Sequence, residues 1–429
     1  MKISMIKREV GFYRFYYGWV IVGIALVSMA FWFGIRSIFS IFYVALLEDF
    51  PWSRGGAAGV QSLAFLTYTF MAPLIGALID RLGPRRIIIP GILLLALGLA
   101  LCSYIKTLNQ FYLLYGLLAA IGATCIGPVS YTTILAHWFE KKRGTASGLA
   151  ISGTGLGTFL LVPLSQQFIF LCGWRLAFVV LGGLVLIVLL PLNGLFLHHK
   201  PQELGLRTDG MMGEESPKRE VLELNGTIWS ETDWTFKKAL KTGKFWALVT
   251  FNFFAAMGLY IVIVHHVTFL VDQGIDKMAA AFIFALLGII SSPFRIVWGW
   301  LSDRIGREKT YTTGTIFLCM GVCSLILLEI MRKRELLYFF VFFFGMGWAV
   351  LGPIMMSVAA DLFHGRGFGL IFGILEAVIG IGGALGAWVA GFIFDKTQSY
   401  QCAFGLAATL SILSCLFIWL AAPRKIHNG

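Results

Sequence analysis

The 429-residue chain is 58% hydrophobic and only 13% charged, with a mean hydropathy of +0.82. A soluble domain carries about 25% charged residues, so this composition excludes one and requires that much of the chain face lipid. The formal net charge of +12 would suit a nucleic-acid partner, but the placement of the cations excludes that use.

Twelve apolar runs follow one another, at about residues 17–40, 56–79, 86–105, 110–136, 144–170, 174–197, 244–271, 277–300, 310–331, 335–362, 366–394 and 398–421. Each is near the roughly 20 residues that a helix needs to cross about 30 Å of hydrocarbon. None alternates with period two, and all are too long for barrel strands, so the spans read as helices. Of the 34 Lys and Arg, 24 fall in the tails and in the loops of one side, and 8 in the opposite loops. That asymmetry is the positive-inside rule, and it places both termini in the cytosol of a cell inner (plasma) membrane protein. The first span follows Lys7, Arg8 and Arg14 and leads into further spans, so it reads as uncleaved.

Residues 198–243 form the only long polar segment and read as a cytosolic central loop between an N-terminal bundle (1–197) and a C-terminal bundle (244–429). Near its end, WTFKKALKTGKFW (234–246) sets Trp234, Phe236 and Leu240 against four lysines. It reads as an amphipathic helix on the membrane surface or as a solvated loop. The Asn225-Gly226-Thr227 sequon lies in that cytosolic loop and is discounted. The seven scattered cysteines include no CxxC pair. Cys319 and Cys323, one helical turn apart, read as small packing residues.

The second half repeats the first. GALIDRLGPRR (76–86) returns as GWLSDRIGREK (299–309), with Gly76, Asp80, Arg81 and Gly83 recurring 223 residues later as Gly299, Asp303, Arg304 and Gly306. KKRGTASGLAISGTGLG (141–157) and GRGFGLIFGILEAVIGIGG (365–383) place Arg143 and Arg366 at the same offset. Asp80 ends the second span at the negative end of its dipole, where a carboxylate is unfavourable without a positive partner. The eleventh span begins on that side with free N–H groups and Arg366. By symmetry Asp303 would meet Arg143 at the start of the fifth. Each half thus carries a clasp aimed at the other, which is the arrangement of a gate.

These two loop motifs resemble that of the major facilitator superfamily, at both of its expected positions. The resemblance spans essentially the whole chain. It implies an all-α membrane protein of twelve transmembrane helices, in two six-helix bundles related by pseudo-two-fold symmetry, that rock about a midplane site. WFEKKRGTASGLAISGTGLG (138–157) and YYGWVIV (16–22) are similar to the fifth-helix and first-helix motifs of monocarboxylate porters, although the acidic residue before the first-helix glycine is absent. The fifth span lacks the Gly-Pro pair with following paired glycines that a drug-proton antiporter carries there.

Charge inside the spans marks the expected site. Arg36 and Arg295 each cost about 2.5–3.5 kcal/mol on an insertion scale, unless they snorkel to an interface. Both match the porter pattern, as Arg36-Ser37 in the first span and as an Arg one turn before Gly299 in the eighth. Arg36, Ser37, Ser40 and Tyr43 share one face. Guanidinium binds carboxylate in a bidentate way that lysine cannot copy, so two arginines from opposite halves suit an anion. Glu376 is the carboxylate squarely within a span. It could carry protons, form a fixed ion pair, or pack while neutral. Animal-type porters place an Asp where Ser291 stands, so coupling falls to Glu376 or another group. Tyr131, after Gly127-Pro128, and His265, preferred over His266, are further candidates for substrate contact, each with packing or interfacial roles as the alternative.

The expectation is a proton-coupled transporter of small monocarboxylates such as lactate or pyruvate; the alternative is an exchanger of organic anions of the oxalate–formate type. No HExxH, GxSxG or GxxxxGK[ST] pattern occurs, so neither an enzyme nor direct ATP drive is expected. No cofactor or metal is expected. The expected partners are the anion, protons and the bilayer, with the protein acting as a monomer.

Overall fold

The computed structural model describes residues 16–52, 54–210 and 234–421. The tail cations Lys7, Arg8 and Arg14 and the sequon at Asn225 lie outside the described residues, as does the side chain of Ser40. Among the described residues, eleven helices are long and apolar enough to span a bilayer, and the longest, Arg143–Phe196, is two spans joined at Gly173, whose φ of 75° breaks the helix. The twelve are α1 (Gly18–Asp49), α2 (Arg54–Leu82), α3 (Arg85–Cys102), α4 (Leu108–Trp138), α5 (143–172), α6 (174–196), α7 (Gly243–Asp272), α8 (Lys277–Ile305), α9 (Arg307–Met331), α10 (Leu336–Phe363), α11 (Phe368–Thr397) and α12 (Gln401–Ala421). The protein is a multi-pass membrane protein. Its outer face carries large apolar side chains with no protein cover, such as Phe70, Phe170 and Ile187, 68 to 80% exposed.

Among the described residues α10 is π-helical over Phe340–Phe344, and α1 and α4 depart from simple helices for local reasons. α1 runs about ten residues beyond the expected 40, with a slight turn at Ile38, and stops where Phe50 becomes extended before Pro51; proline forces its predecessor out of the helical region. α4 is π-helical over Tyr112–Ala119 and breaks at Gly127, restarting with Pro128 as its first residue. Proline tolerates that position because its missing N–H has no partner there anyway.

Within the first bundle α1 packs along α5, and within the second α7 packs along α11 and α12. The bundles meet along two seams, α2 with α11 and α5 with α8, which the two-fold symmetry interchanges. Both repeated loops turn on a glycine with positive φ, Gly83 at 81° and Gly306 at 97°. This is the left-handed region where a side chain is strained, so the repeat conserves a turn together with its charges.

The amphipathic helix expected over 234–246 is not what forms. Only Phe236–Ala239 makes a helical turn, and the aromatic side chains pack on protein instead of lipid. Trp234 sits edge-on to Phe363 at 5.2 Å and Phe236 edge-on to Phe245 at 6.0 Å. The Trp234 carbonyl accepts the Gly367 N–H at 2.9 Å, which straps the segment to the start of α11. At the other end of the central segment, the Asp209 carboxylate accepts the backbone N–H groups of Glu140 and Lys141, at 2.9 and 2.6 Å.

Candidate functional site

The end of the molecule carrying the repeated loops is closed. Asp80 accepts the N–H groups of Gly369 and Leu370, at 2.7 and 2.9 Å, in the first turn of α11. Asp303 accepts those of Gly144 and Thr145, at 2.8 and 2.7 Å, and the Thr145 hydroxyl at 2.7 Å. A helix N-terminus presents unpaired N–H groups and the positive end of its dipole, and each carboxylate uses one. The seams are tight because small residues face each other: Gly76 opposes Gly369 and Gly144 opposes Gly299, with no room for a Cβ at either.

The arginines of this end correct the expected pairing. Arg143 does not meet Asp303. Its guanidinium turns back to the carbonyls of Phe139 and Ala136 and pairs with Asp361 near the end of α10. The reason is direction: the first-turn N–H groups of α5 point at Asp303, whereas the Arg143 side chain leaves toward α10. Arg307 then joins Asp361 and Asp303, at 3.1 and 2.6 Å. The result is a ring, from Arg143 through Asp361, Arg307 and Asp303 back to the α5 backbone. Arg366 stays exposed, three residues before the N–H groups that Asp80 takes. Beside this end His199 is pushed down to about 4 by burial and then by Lys200, against a rise from Glu203.

Deeper in the membrane, Arg36, Tyr68 and Glu376 form a cluster that spans both bundles. The Tyr68 hydroxyl donates to Glu376 Oε2 at 2.7 Å. Arg36 lies over the rings of Phe65, Tyr68 and Trp32, at 4.5, 5.0 and 5.1 Å from their centroids. Such faces stabilise a cation where water is scarce. Tyr260 of α7 is within electrostatic reach of both Arg36 and Glu376. Beside Arg36 lies a cavity of about 30 Å3, walled by α1, α2 and α4. Gln61 on its wall has a buried Oε1 with no partner among the described residues.

Arg295 occupies the other seam. It is 9% exposed, donates to the Ile151 carbonyl at 3.0 Å and to the Thr154 hydroxyl, and lies 5.5 Å from the Trp348 ring. Among the described residues no carboxylate pairs with it. The fold therefore links Arg36 to Glu376 and sets Arg295 against α5. Ser291 turns its hydroxyl back to Gly288 of its own helix.

Two candidates sit elsewhere. Tyr131 is fully buried inside the first bundle, and its hydroxyl is used by Ser28 and Asn193, both at 2.6 Å; the substrate contact expected of it gives way to interhelical packing. His265 contacts the Ala387 carbonyl at 2.8 Å and Tyr400 at 3.3 Å, both in the second bundle, while His266 is fully buried. Its role is a link from α7 to α11, not a contact in the Arg36 cluster. Sequence reasoning missed Tyr68, Asp361 and Arg307. Asp361 and Arg307 carried a signal, as charges at the ends of apolar runs facing the same side as the repeated loops.

Comparison with known proteins bears on the whole chain. The family model described as Major Facilitator Superfamily matches residues 20–372. Monocarboxylate transporter 13 of Rattus norvegicus is 28% identical over 395 residues, 91% of this chain and 86% of that protein. Monocarboxylate transporter 2 of Homo sapiens is 24% identical over 419 residues, covering 96% and 86%. The solved proton:xylose symporter XylE bound to 6-bromo-6-deoxy-D-glucose superposes with a TM-score of 0.71 at 15% identity, over 95% of this chain and 96% of that one. The E. coli fucose:proton symporter FucP gives 0.69 at 15%, over 94% and 100%. This chain is a transporter and belongs to the Major Facilitator Superfamily.

Proposed function

We propose that the protein carries small monocarboxylates, such as lactate or pyruvate, together with a proton across the plasma membrane by alternating access. The observation that carries this reading is the buried Arg36–Tyr68–Glu376 cluster, in which a cation from one bundle and a carboxylate from the other meet around one tyrosine. The bundles are residues 1–197 and 244–429 with a cytosolic loop, 198–243, between them. Both termini and the repeated loops face the cytosol, and the conformation described here is closed on that side. The monocarboxylate names of the relatives fit this reading.

Charge balance explains the coupling. Burying an extra net charge in a low dielectric is costly. An anion arriving at Arg36 adds one negative charge, and a proton on Glu376 removes one. The empty and loaded proteins then carry the same buried charge and face the same electrostatic barrier to rocking. Protonation also exchanges the charged acceptor of Tyr68 for a neutral one, which weakens a contact between α2 and α11. Arg295 serves as the second cation, released to the anion when the α5–α8 seam parts. Asp80, Asp303, Arg143 and Arg366 hold and release the cytosolic gate.

The test is uptake of labelled lactate into proteoliposomes with and without an inward proton gradient. Stimulation by the gradient supports symport. One observation favours a second reading: Ser291 puts a hydroxyl where animal-type porters carry an Asp, so if Tyr68 holds Glu376 permanently ionised the protein exchanges anions. Uptake driven by internal anion and indifferent to the gradient would select that exchanger.

A further inference from the structure

We infer that the cavity beside Arg36 is the subsite for the apolar tail of the transported anion, and that its alanine walls set tail length. This rests on the proposed binding of a carboxylate at Arg36. The cavity's polar groups are those of Arg36, Gln61, Tyr68, Tyr115 and Trp32, whose buried Nε1 has no partner among the described residues; the rest of its wall is apolar, including Ile35 of α1, Ala64 of α2 and Ala120 and Ala123 of α4. A second carboxylate placed there would be desolvated without a cation, whereas a methyl or ethyl group would bury apolar surface. The space of about 30 Å3 holds about two water-sized groups, which is the size of a tail of two or three carbons.

The wall is held in place by an unusual backbone. The π-helical stretch Tyr112–Ala119 of α4 widens the helix just ahead of Ala120, and π turns of this kind mark functional sites. Three cross-helix bonds lock it: Thr67 Oγ1 to the Gly116 carbonyl at 2.9 Å, the Tyr112 hydroxyl to the Gly56 carbonyl at 2.7 Å, and the Tyr115 hydroxyl to the Ile35 carbonyl at 2.9 Å. α4 is thereby pinned to both α1 and α2, so the cavity has a fixed depth. Ala64 and Ala120 are half-buried and line the cavity.

The experiment is calorimetric titration of the purified full chain with acetate, propionate, butyrate and hexanoate, and with the corresponding primary amides. In the wild type affinity should rise about fourfold per methylene up to butyrate and fall at hexanoate. Ala64→Val and Ala120→Val should each lower the butyrate-to-acetate affinity ratio about tenfold while leaving acetate within about twofold. That ratio is internal to each protein, so partial misfolding does not mimic the result. Carboxylates that bind with a ratio unchanged in both variants overturn the tail subsite. If carboxylates fail to bind while the amides still rank by tail length in the wild type alone, the anion reading falls and the subsite stands. Binding of neither series overturns both.

Discussion

Replacing Asp80 by Ala removes two N–H···carboxylate bonds, at 2.7 and 2.9 Å, that tie the end of α2 to the first turn of α11. The two bonds share one carboxylate and, taken as a single charge-assisted contact, contribute about 1.5–3 kcal/mol net. The contact exists only while the α2–α11 seam is shut, so its loss raises the free energy of that conformation alone. The population ratio should move by roughly one to two decades, so that a protein closed ten to one becomes evenly divided or mostly open. Asp303→Ala should act in the same direction and by at least as much, because its carboxylate accepts three such bonds and also pairs with Arg307. The α5–α8 side still keeps the Arg143–Asp361 pair, which crosses between bundles independently of Asp303. Asp80→Asn, which retains one acceptor oxygen without the charge, should fall between the wild type and Ala. The assay is a spin-label distance distribution between Arg86 and Lys237, exposed residues on either side of the α2–α11 seam. An unchanged distribution in Asp80→Ala refutes the clasp. An unchanged distribution in Asp303→Ala refutes the clasp on the α5–α8 side.

Arg36→Ala should abolish carboxylate binding while leaving insertion intact, and Arg36→Lys should recover little because the planar fork is lost; calorimetry on purified protein checks both. Glu376→Gln should keep anion exchange but lose stimulation by a proton gradient, and unchanged stimulation in liposomes would move the proton site elsewhere. Tyr68→Phe keeps the ring over Arg36 and deletes only the hydroxyl bond, so exchange should persist while the pH profile of uptake shifts; an identical profile would remove Tyr68 from the coupling. His199, held near 4 against an ordinary 6.5, resists protonation in the folded protein, so its contribution to stability is full above about pH 6.5 and is lost as the pH falls toward 4. Thermal melts at pH 7.5 and 5.5 should show a drop of about 1 kcal/mol that His199→Gln diminishes.

The sequence carried the architecture because lipid imposes it: a run of about 20 apolar residues has few alternatives to a spanning helix. The offset of 223 also pointed to helix N-termini as the recipients of Asp80 and Asp303, since those ends offer free N–H groups on the side of the repeated loops. Side-chain direction was not legible. Arg143 and Asp361 are 218 residues apart, and nothing local tells whether a guanidinium at the start of α5 leaves toward α8 or α10. Tyr68 is one aromatic residue among many in the spans; its partnership with Glu376 depends on how α2 is rotated against α11. Tyr131 failed for the converse reason. A hydroxyl after a Gly-Pro break looks available, but Ser28 and Asn193 of the same bundle already use it.

The ring at the α5–α8 seam has no twin, and the sequence says why. At the 223-residue offset, Asp361 corresponds to Trp138 and Arg307 to Pro84, so the α2–α11 seam inherits Asp80 and Arg366 but neither of the groups that would close a ring. Among the described residues, ion pairs across four helices bridge one seam, and Asp80 bridges the other through backbone N–H groups. The α2–α11 seam is also the one that carries the Tyr68–Glu376 bond deeper in the membrane. A symmetric fold needs both seams to part for access from the closed side, but it does not need them to part together. On the proposed coupling, the deep contact of the α2–α11 seam is the one that weakens when Glu376 takes a proton. On that proposal it is the seam to yield first, with the α5–α8 ring as the hinge about which the bundles turn.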